Sequence, residues 1–372
     1  MYIHLFLTDS CNLACSYCRG KIFDTPDLER NTITIESDIP VDISYDLSDL
    51  SAFLARDPNV VVTFIGGEPT LRSDLIIRIM EDHPDTRFMI QTNGLLLHRF
   101  PSSIINRFQT ILVSIDGDER TTDMGRGVGT YCRVMENVQH ILAGGYIGEI
   151  IGRMTVHEGV DIFNSVMHLV DNPGHSFSSI HWQIDANFWN DYHHRDFKAW
   201  SEFSYIPGIR SLVELWALRM EKTGIVDRWY PFIDPVEDML LGRSSRLRCG
   251  SGYANYSILT NGQIVPCPIM VGMTDYYAGD IYTANPCSLP VFDVPGLCTE
   301  CDIRNFCGGR CLYGAIMEPW PLEGREQVCI TVRALYDELT RVLPRIRKLI
   351  NDGIISMDSF AHEKYNGCEI IP

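Results

Sequence analysis

Residues 2–20 read YIHLFLTDSCNLACSYCRG. The apolar run 2–7 (YIHLFL) predicts a β-strand, and the small and polar residues that follow predict a loop. That loop carries Cys11, Cys15 and Cys18, a Cx3Cx2C array lying directly beyond the strand's end. Three thiolates from one tight loop suit three irons of a [4Fe–4S] cube and leave the fourth iron open to another ligand. The alternative is a structural zinc knuckle, which needs a fourth protein ligand to close its tetrahedron. His4 is the nearest candidate, but a strand position points it elsewhere.

Outward from this loop the pattern repeats. Short β-rich runs at 59–65 (NVVVTFI), 86–92, 109–115 (QTILVSI), 148–156 (GEIIGRMTV) and 179–185 (SIHWQID) alternate with helical periods. One such period runs through Tyr131, Val134, Met135, Val138, Ile141 and Leu142, with Thr130 placed to cap it. Six strand–helix repeats predict an α/β fold, a partial (β/α)6 barrel over residues 1–190. Residues 191–240 read as a bridging segment with a helical stretch near 208–222. Residues 241–372 read as a loop-rich C-terminal domain ending in an amphipathic helix. That helix is marked by Val332, Leu335, Tyr336, Leu339, Val342, Leu343, Ile346, Leu349 and Ile350, with a kink expected near Pro344.

Composition narrows the function classes. The chain has 372 residues, 45% of them hydrophobic, which supports a well-packed core. Its 31 Lys and Arg stand against 48 Asp and Glu, a net charge of −17, so attraction to a nucleic-acid backbone is not expected. No apolar run approaches the roughly 20 residues of a membrane helix, and no basic, apolar export signal opens the sequence. A soluble, cytoplasmic protein is the expectation. In such a chain, 13 bunched cysteines point to metal before disulfides.

Eight of those cysteines fall in 249–329, where glycines and prolines are frequent and periodicity is weak, so metal is expected to replace part of a core there. The array is Cys249-x12-Gly262-x4-Cys267, then Cys298-x2-Cys301-x5-Cys307-x3-Cys311, then Cys329. Cys132 lies on the predicted helix and is expected in the core, while Cys368 lies in a polar tail.

The N-terminal loop resembles the defining motif of the radical S-adenosylmethionine superfamily, and further segments share that resemblance. Gly66, Gly67, Glu68 and Pro69 stand after the second strand as the family's GGEP motif does. There the strand-end backbone and the glutamate meet the cosubstrate's amino group; glycines permit close backbone approach and Glu68 suits an ammonium. QTNG, with Thr92 and Asn93, ends the third strand, and Ser114 and Asp116 in VSIDG end the fourth, where the family contacts the ribose. Arg153 in GRMTV resembles the arginine that meets the methionine carboxylate, with Gln183 of the sixth strand at the same site. Tyr17 resembles the aromatic residue that packs on adenine. Ligand sites at the carboxyl ends of parallel strands obey a general rule of such sheets.

The distal array resembles the SPASM extension of peptide- and protein-modifying radical enzymes. That resemblance implies three [4Fe–4S] clusters, one at Cys11, Cys15 and Cys18 and two auxiliary ones. One auxiliary cluster takes Cys298, Cys301, Cys307 and Cys329. The other takes Cys249, Cys267 and Cys311, with no evident fourth ligand; Cys287 is the nearest spare thiol. The implied activity is hydrogen abstraction by a 5′-deoxyadenosyl radical from a peptide or protein, giving an oxidative or cross-linking modification. A flavodoxin or ferredoxin is the implied electron donor. Pro268 and Ile269 depart from relatives that oxidise sulfatases, which carry an aspartate after the residue matching Cys267. With Cys11 so close to the start, no separate leader-binding domain is expected before the radical core. A cofactor-maturing enzyme acting on a small peptide or tetrapyrrole is the rival enzymatic reading; a multi-cluster electron carrier or zinc scaffold is the non-catalytic one.

Overall fold

Six parallel strands follow one another in chain order: β1 (Tyr2–Phe6), β2 (Val61–Ile65), β3 (Arg87–Thr92), β4 (Phe108–Ser114), β5 (Glu149–Val156) and β6 (Ser179–Ile184). The computed structural model describes residues 1–18, 33–172, 174, 176–187 and 189–366; Arg19, Gly20 and Cys368 lie outside them. All six expected strands are present, within two residues at each end. Burial on both faces explains their legibility: β2, VVTFI, is buried at every position, the continuous apolar pattern of a parallel strand covered on two sides.

The two faces differ in chemistry. Ile3 and Leu5 of β1, with Val62 and Phe64 of β2, pack outward into the main core with the surrounding helices. The alternate positions include polar side chains: His4 pairs in register with Thr63 and Ser257, and Arg153 with Ser114 and His181. A strand's period of two therefore sets these polar side chains on the face opposite the apolar shell.

The sheet does not end at β1. β7 (Asn255–Ile258) adds to the free edge of β1 in parallel, and β8 (Gln263–Val265) and β9 (Gly279–Asp280) follow antiparallel, giving the order β6-β5-β4-β3-β2-β1-β7-β8-β9. These strands have four, three and two residues, too few for a period of two to be read. The segment expected to be loops thus continues the barrel's own sheet.

The bridge is helical, with its longest helices at Ile206–Thr223 and Tyr230–Leu241. The last long helix, Leu322–Asn351, is a single run of 30 residues with Pro344 inside it. Val328, Val332, Leu335, Leu339, Val342, Ile346 and Leu349 form its buried stripe. It packs along Ile206–Thr223, and the contact is edged by Arg210–Glu338, Arg341–Glu214 and Arg345–Glu221 pairs at 2.8–2.9 Å. Among the described residues no helix is long and apolar enough to cross a membrane.

Two expectations are corrected at helix Thr130–Ala143. Thr130 does not cap it; the cap is Gly129, whose φ of 81° suits glycine, and Thr130 is the first helical residue. Cys132 is exposed, its Sγ 3.5 Å from Glu119. The buried face runs through Val134, Asn137, Val138 and Ile141, so a residue two positions before Val134 falls on the opposite side.

Candidate active site at the strand ends

The cysteine loop rests on the two glycines that follow β2. Gly67 N–H donates to Thr8 O at 2.9 Å and Glu68 N–H to Ser10 O at 2.8 Å. A Cβ on Gly66 would overlap the Thr8 carbonyl, and one on Gly67 would lie 2.5 Å from Asp9 O and 2.6 Å from Ser10 C. Gly66 also has a φ of 145°, in the region that favours glycine. Close backbone approach is thus the reason for this pair. Gly67→Ala is expected to destabilise the protein by about 1–3 kcal/mol, the usual cost of overpacking against backbone that cannot give way. Thermal denaturation and iron content per chain check it; unchanged values for both would refute this role.

Glu68 is buried and acts as a clasp between strand ends. Its Oε1 accepts from Thr70 N–H (3.0 Å), Thr70 Oγ1 (2.6 Å) and Thr92 Oγ1 (2.7 Å), and its Oε2 from Asn93 N–H (2.7 Å). Burial pushes its carboxyl up, against the lowering effect of these bonds. Asn93 then reaches the cysteine loop, donating to Asn12 Oδ1 at 2.7 Å with Cys11 Sγ 4.0 Å away. Pro69 opens the turn after Glu68. The expected residues of GGEP and QTNG therefore meet, and Glu68 already holds four donors before any ligand is considered.

At the end of β4, Asp116 is nearly inaccessible and bound on every side. Arg126 grips it with two 2.8 Å bonds, Thr155 N–H donates to Oδ1 at 2.8 Å, and the Tyr17 hydroxyl donates to Oδ2. Burial pushes the Tyr17 phenol far up, so it donates as a neutral hydroxyl. The Arg126 guanidinium lies 5.3 Å from the Tyr17 ring centre, and His157 packs beside the same ring at 5.7 Å. Asp116 is thereby committed to positioning the loop, which its expected ribose contact did not foresee. Ser114 remains half-buried at the strand end, and Arg153 donates to Gln183 Oε1 at 3.1 Å inside the barrel.

A cavity of about 540 Å³ opens beside this group, lined by Tyr17, Cys18, His157, Asp185, Trp189 and Arg195 among others. Asp185 directly follows β6; burial pushes its carboxyl up to about 6, while Arg195, 3.3 Å away, pulls the other way. Arg126, His157, Asp185, Trp189 and Arg195 are site residues that sequence reasoning missed. The strand-end rule that found Asp116 would also have found His157 and Asp185. Arg126, on helix Glu119–Arg126, has no comparable signal.

The cysteines supply the thiolate donors that iron–sulfur clusters use, although among the described residues no three His, Cys, Asp or Glu side chains are gathered at metal-binding distance. Each of Cys11 and Cys15 feels the charge of Cys18, and Cys15 that of Cys11, so the three thiols form one group. In the distal field Cys298 is coupled to Cys301 and Cys329, and Cys307 to Cys298 and Cys329, which groups these four. Cys249, Cys267 and Cys311 pack in one apolar cluster with Met270, Met273 and Met317, which Cys298 of the other group also touches. Arg248 Nε donates to Phe306 O at 2.7 Å and its Nη1 to Asp238 at 2.9 Å, joining the residues next to Cys249 and Cys307 to helix Tyr230–Leu241. Cys287 joins neither group: its thiol is exposed, 3.6 Å from Arg56 O. As a fourth ligand for Cys249, Cys267 and Cys311 it is therefore not supported.

The second field reaches the barrel mouth. A Cβ on Gly314, three residues after Cys311, would lie 3.4 Å from the Cβ of Asn187, just beyond β6. Trp320 Nε1 donates to Asp191 Oδ1 at 3.0 Å, at the cavity's rim.

Comparison with known proteins agrees with this geometry. Residues 5–167 match the model of the Radical SAM superfamily. The chain is 21% identical to mycofactocin maturase MftC of Mycobacterium ulcerans over 345 residues, covering 87% of this chain and 86% of that protein. Its fold is like that of native anSMEcpe with bound AdoMet and Kp18Cys peptide, with a TM-score of 0.70 at 17% identity over 95% of this chain and all of that one. It is also like SuiB of Streptococcus suis bound to precursor peptide SuiA, with a TM-score of 0.53 at 16% identity over 83% of this chain and 71% of that one.

Proposed function

Residues 5–167 form a domain of the Radical SAM superfamily, and from that premise we propose that this chain is a peptide- or protein-modifying radical enzyme with two auxiliary clusters. Cys11, Cys15 and Cys18 would hold the cosubstrate-binding [4Fe–4S] cluster. Cys298, Cys301, Cys307 and Cys329 would hold one auxiliary cluster, and Cys249, Cys267 and Cys311 the other. What the bound cluster and S-adenosylmethionine supply is a 5′-deoxyadenosyl radical, able to take a hydrogen atom from an unreactive carbon.

The chain's own residues position and enclose. Gly66 and Gly67 carry the cysteine loop, and Glu68, Thr92 and Asn93 lock the adjoining strand ends for the cosubstrate's amino group. Ser114 would face the ribose, Arg153 with Gln183 would meet the methionine carboxylate, and Tyr17, fixed by Asp116 and Arg126, would pack on the adenine. Asp185 and His157 line the adjoining cavity, where a peptide would enter and water is to be excluded.

The observation that carries this reading is the arrival of the Cys311 segment at the mouth of the barrel, through Gly314 on Asn187 and Trp320 on Asp191. It brings a second thiolate field to the cavity beside the first. The match over 87% of this chain to a protein named as a maturase, and the likeness of fold to two structures that hold peptides, support a peptide as substrate.

The test is anaerobic reconstitution with iron and sulfide, followed by dithionite and S-adenosylmethionine. About twelve irons per chain and release of 5′-deoxyadenosine are expected, the iron number following from three four-iron clusters. Zinc without sulfide, or no 5′-deoxyadenosine from loaded protein, would refute the enzyme. A flavodoxin or ferredoxin is expected to replace dithionite. A mass change in a small peptide encoded beside the enzyme would identify the substrate; a change in a tetrapyrrole instead would favour cofactor maturation.

A further inference from the structure

Arg310 lies between Cys307 of one proposed auxiliary set and Cys311 of the other, and its state is unusual. It is 8% exposed, and neither Nε nor Nη1 has a hydrogen-bond partner among the described residues. Its backbone is left-handed, with φ of 51°, directly after Gly308 and Gly309 at 70° and 93°. Two neighbours with such angles are glycine, as the conformation favours; the third is a bulky cation. Burying an unpaired charge is costly, and a strained backbone adds to the cost. A compensating anion is therefore called for.

The surroundings say which anion. The charge of Arg310 acts on Cys307 and Cys329, two of the four thiols in that set. Three more arginines stand around the set, but each has a protein partner. Arg304 donates to Cys298 O at 3.2 Å, Arg325 pairs with Glu318, and Arg333 grips Asp302 with its Nη2 3.6 Å from Cys301 Sγ. Arg310 has no such carboxylate or carbonyl. Four cysteine thiolates around a [4Fe–4S] core carry a net negative charge, and hydrogen bonds and nearby charge set such a cluster's potential.

We propose that Arg310 is the buried counter-cation of the auxiliary cluster held by Cys298, Cys301, Cys307 and Cys329, donating to its sulfurs and raising its reduction potential. Beside the cluster of Cys249, Cys267 and Cys311 the buried cation is Arg248, and its charge is already matched by Asp234 and Asp238. The two auxiliary sites are thereby made electrostatically unequal, with the four-cysteine site the easier to reduce. Arg310 acts as a positioning and tuning residue, since it is not placed to touch the peptide.

This rests on the proposed auxiliary clusters, and its test separates the two. The reconstituted protein and its Arg310→Gln and Arg310→Lys variants are titrated anaerobically, with each cluster followed by electron paramagnetic resonance and iron counted per chain. In loaded Arg310→Gln, one auxiliary potential should fall by at least 59 mV, a tenfold change in its one-electron equilibrium. Arg310→Lys should recover most of that shift, and the N-terminal cluster's potential should stay unchanged. If Arg310→Gln fails to hold four of its irons, Arg310→Lys should hold them. Unchanged auxiliary potentials in loaded Arg310→Gln, or equal loss of iron in both variants, would overturn the proposal. Only four irons in the unsubstituted protein would instead overturn the auxiliary clusters themselves.

Discussion

Cys15→Ala is expected to abolish release of 5′-deoxyadenosine from S-adenosylmethionine, while Cys301→Ala retains at least part of it and loses modification of the peptide. The difference follows from where the two thiols stand. Cys15 belongs to a group of three with Cys11 and Cys18, so its loss would leave two ligands for a cluster that already has an open iron. Cys301 belongs to a separate group, its charge felt by Cys298 and Cys329 of the distal segment. Chromatographic measurement of 5′-deoxyadenosine in each variant, with circular dichroism to establish folding, gives the comparison. Equal and complete loss in two well-folded variants would contradict this division of labour.

Arg126→Met is expected to lower stability by about 3–5 kcal/mol, the usual result of leaving one member of a buried ion pair behind. Asp116 is almost wholly inaccessible, and without Arg126 it keeps only Thr155 N–H and the Tyr17 hydroxyl as donors. The damage should extend to the cysteine loop. Tyr17 is held by Arg126 on its face and by Asp116 at its hydroxyl, and it stands between Cys15 and Cys18. The double variant Asp116→Asn, Arg126→Met removes both charges, so it should lose clearly less than the two single losses added together. Chemical denaturation of all four proteins measures the coupling; simple additivity would mean that the pair is not the source of the effect.

The six barrel strands were readable because parallel strands buried on two sides leave dense apolar runs, as in VVTFI of β2. The cysteine loop and GGEP were readable because their chemistry is local: three thiols within eight residues, and two glycines whose contact is with the preceding strand's loop. β7 to β9 were not readable, since NYSI and its shorter successors take their order from the edge of β1 and not from a pattern of their own. Cys132 was misjudged because an apolar list omits the phase of the helix: Val134 and Val138 face inward and Cys132 does not. The clasp of Glu68 and the grip of Arg126 on Asp116 join residues 24 and 10 positions apart, so no single window contains their energetics.

By itself, then, the sequence determined the parallel α/β class, the three-thiol loop after the first strand, and the crowding of eight cysteines into residues 249–329. These depend on periodicity and on ligands carried by one short segment, both of which are properties of neighbouring residues. Only the tertiary structure decided that Asp116 is spent on Arg126, that Cys287 is exposed beside Arg56, and that Nε and Nη1 of buried Arg310 find no hydrogen-bond partner among the described residues. Those outcomes depend on burial and on charges brought together from distant parts of the chain. In a low-dielectric interior such meetings set the energy of each group, and spacing along the chain carries no record of them.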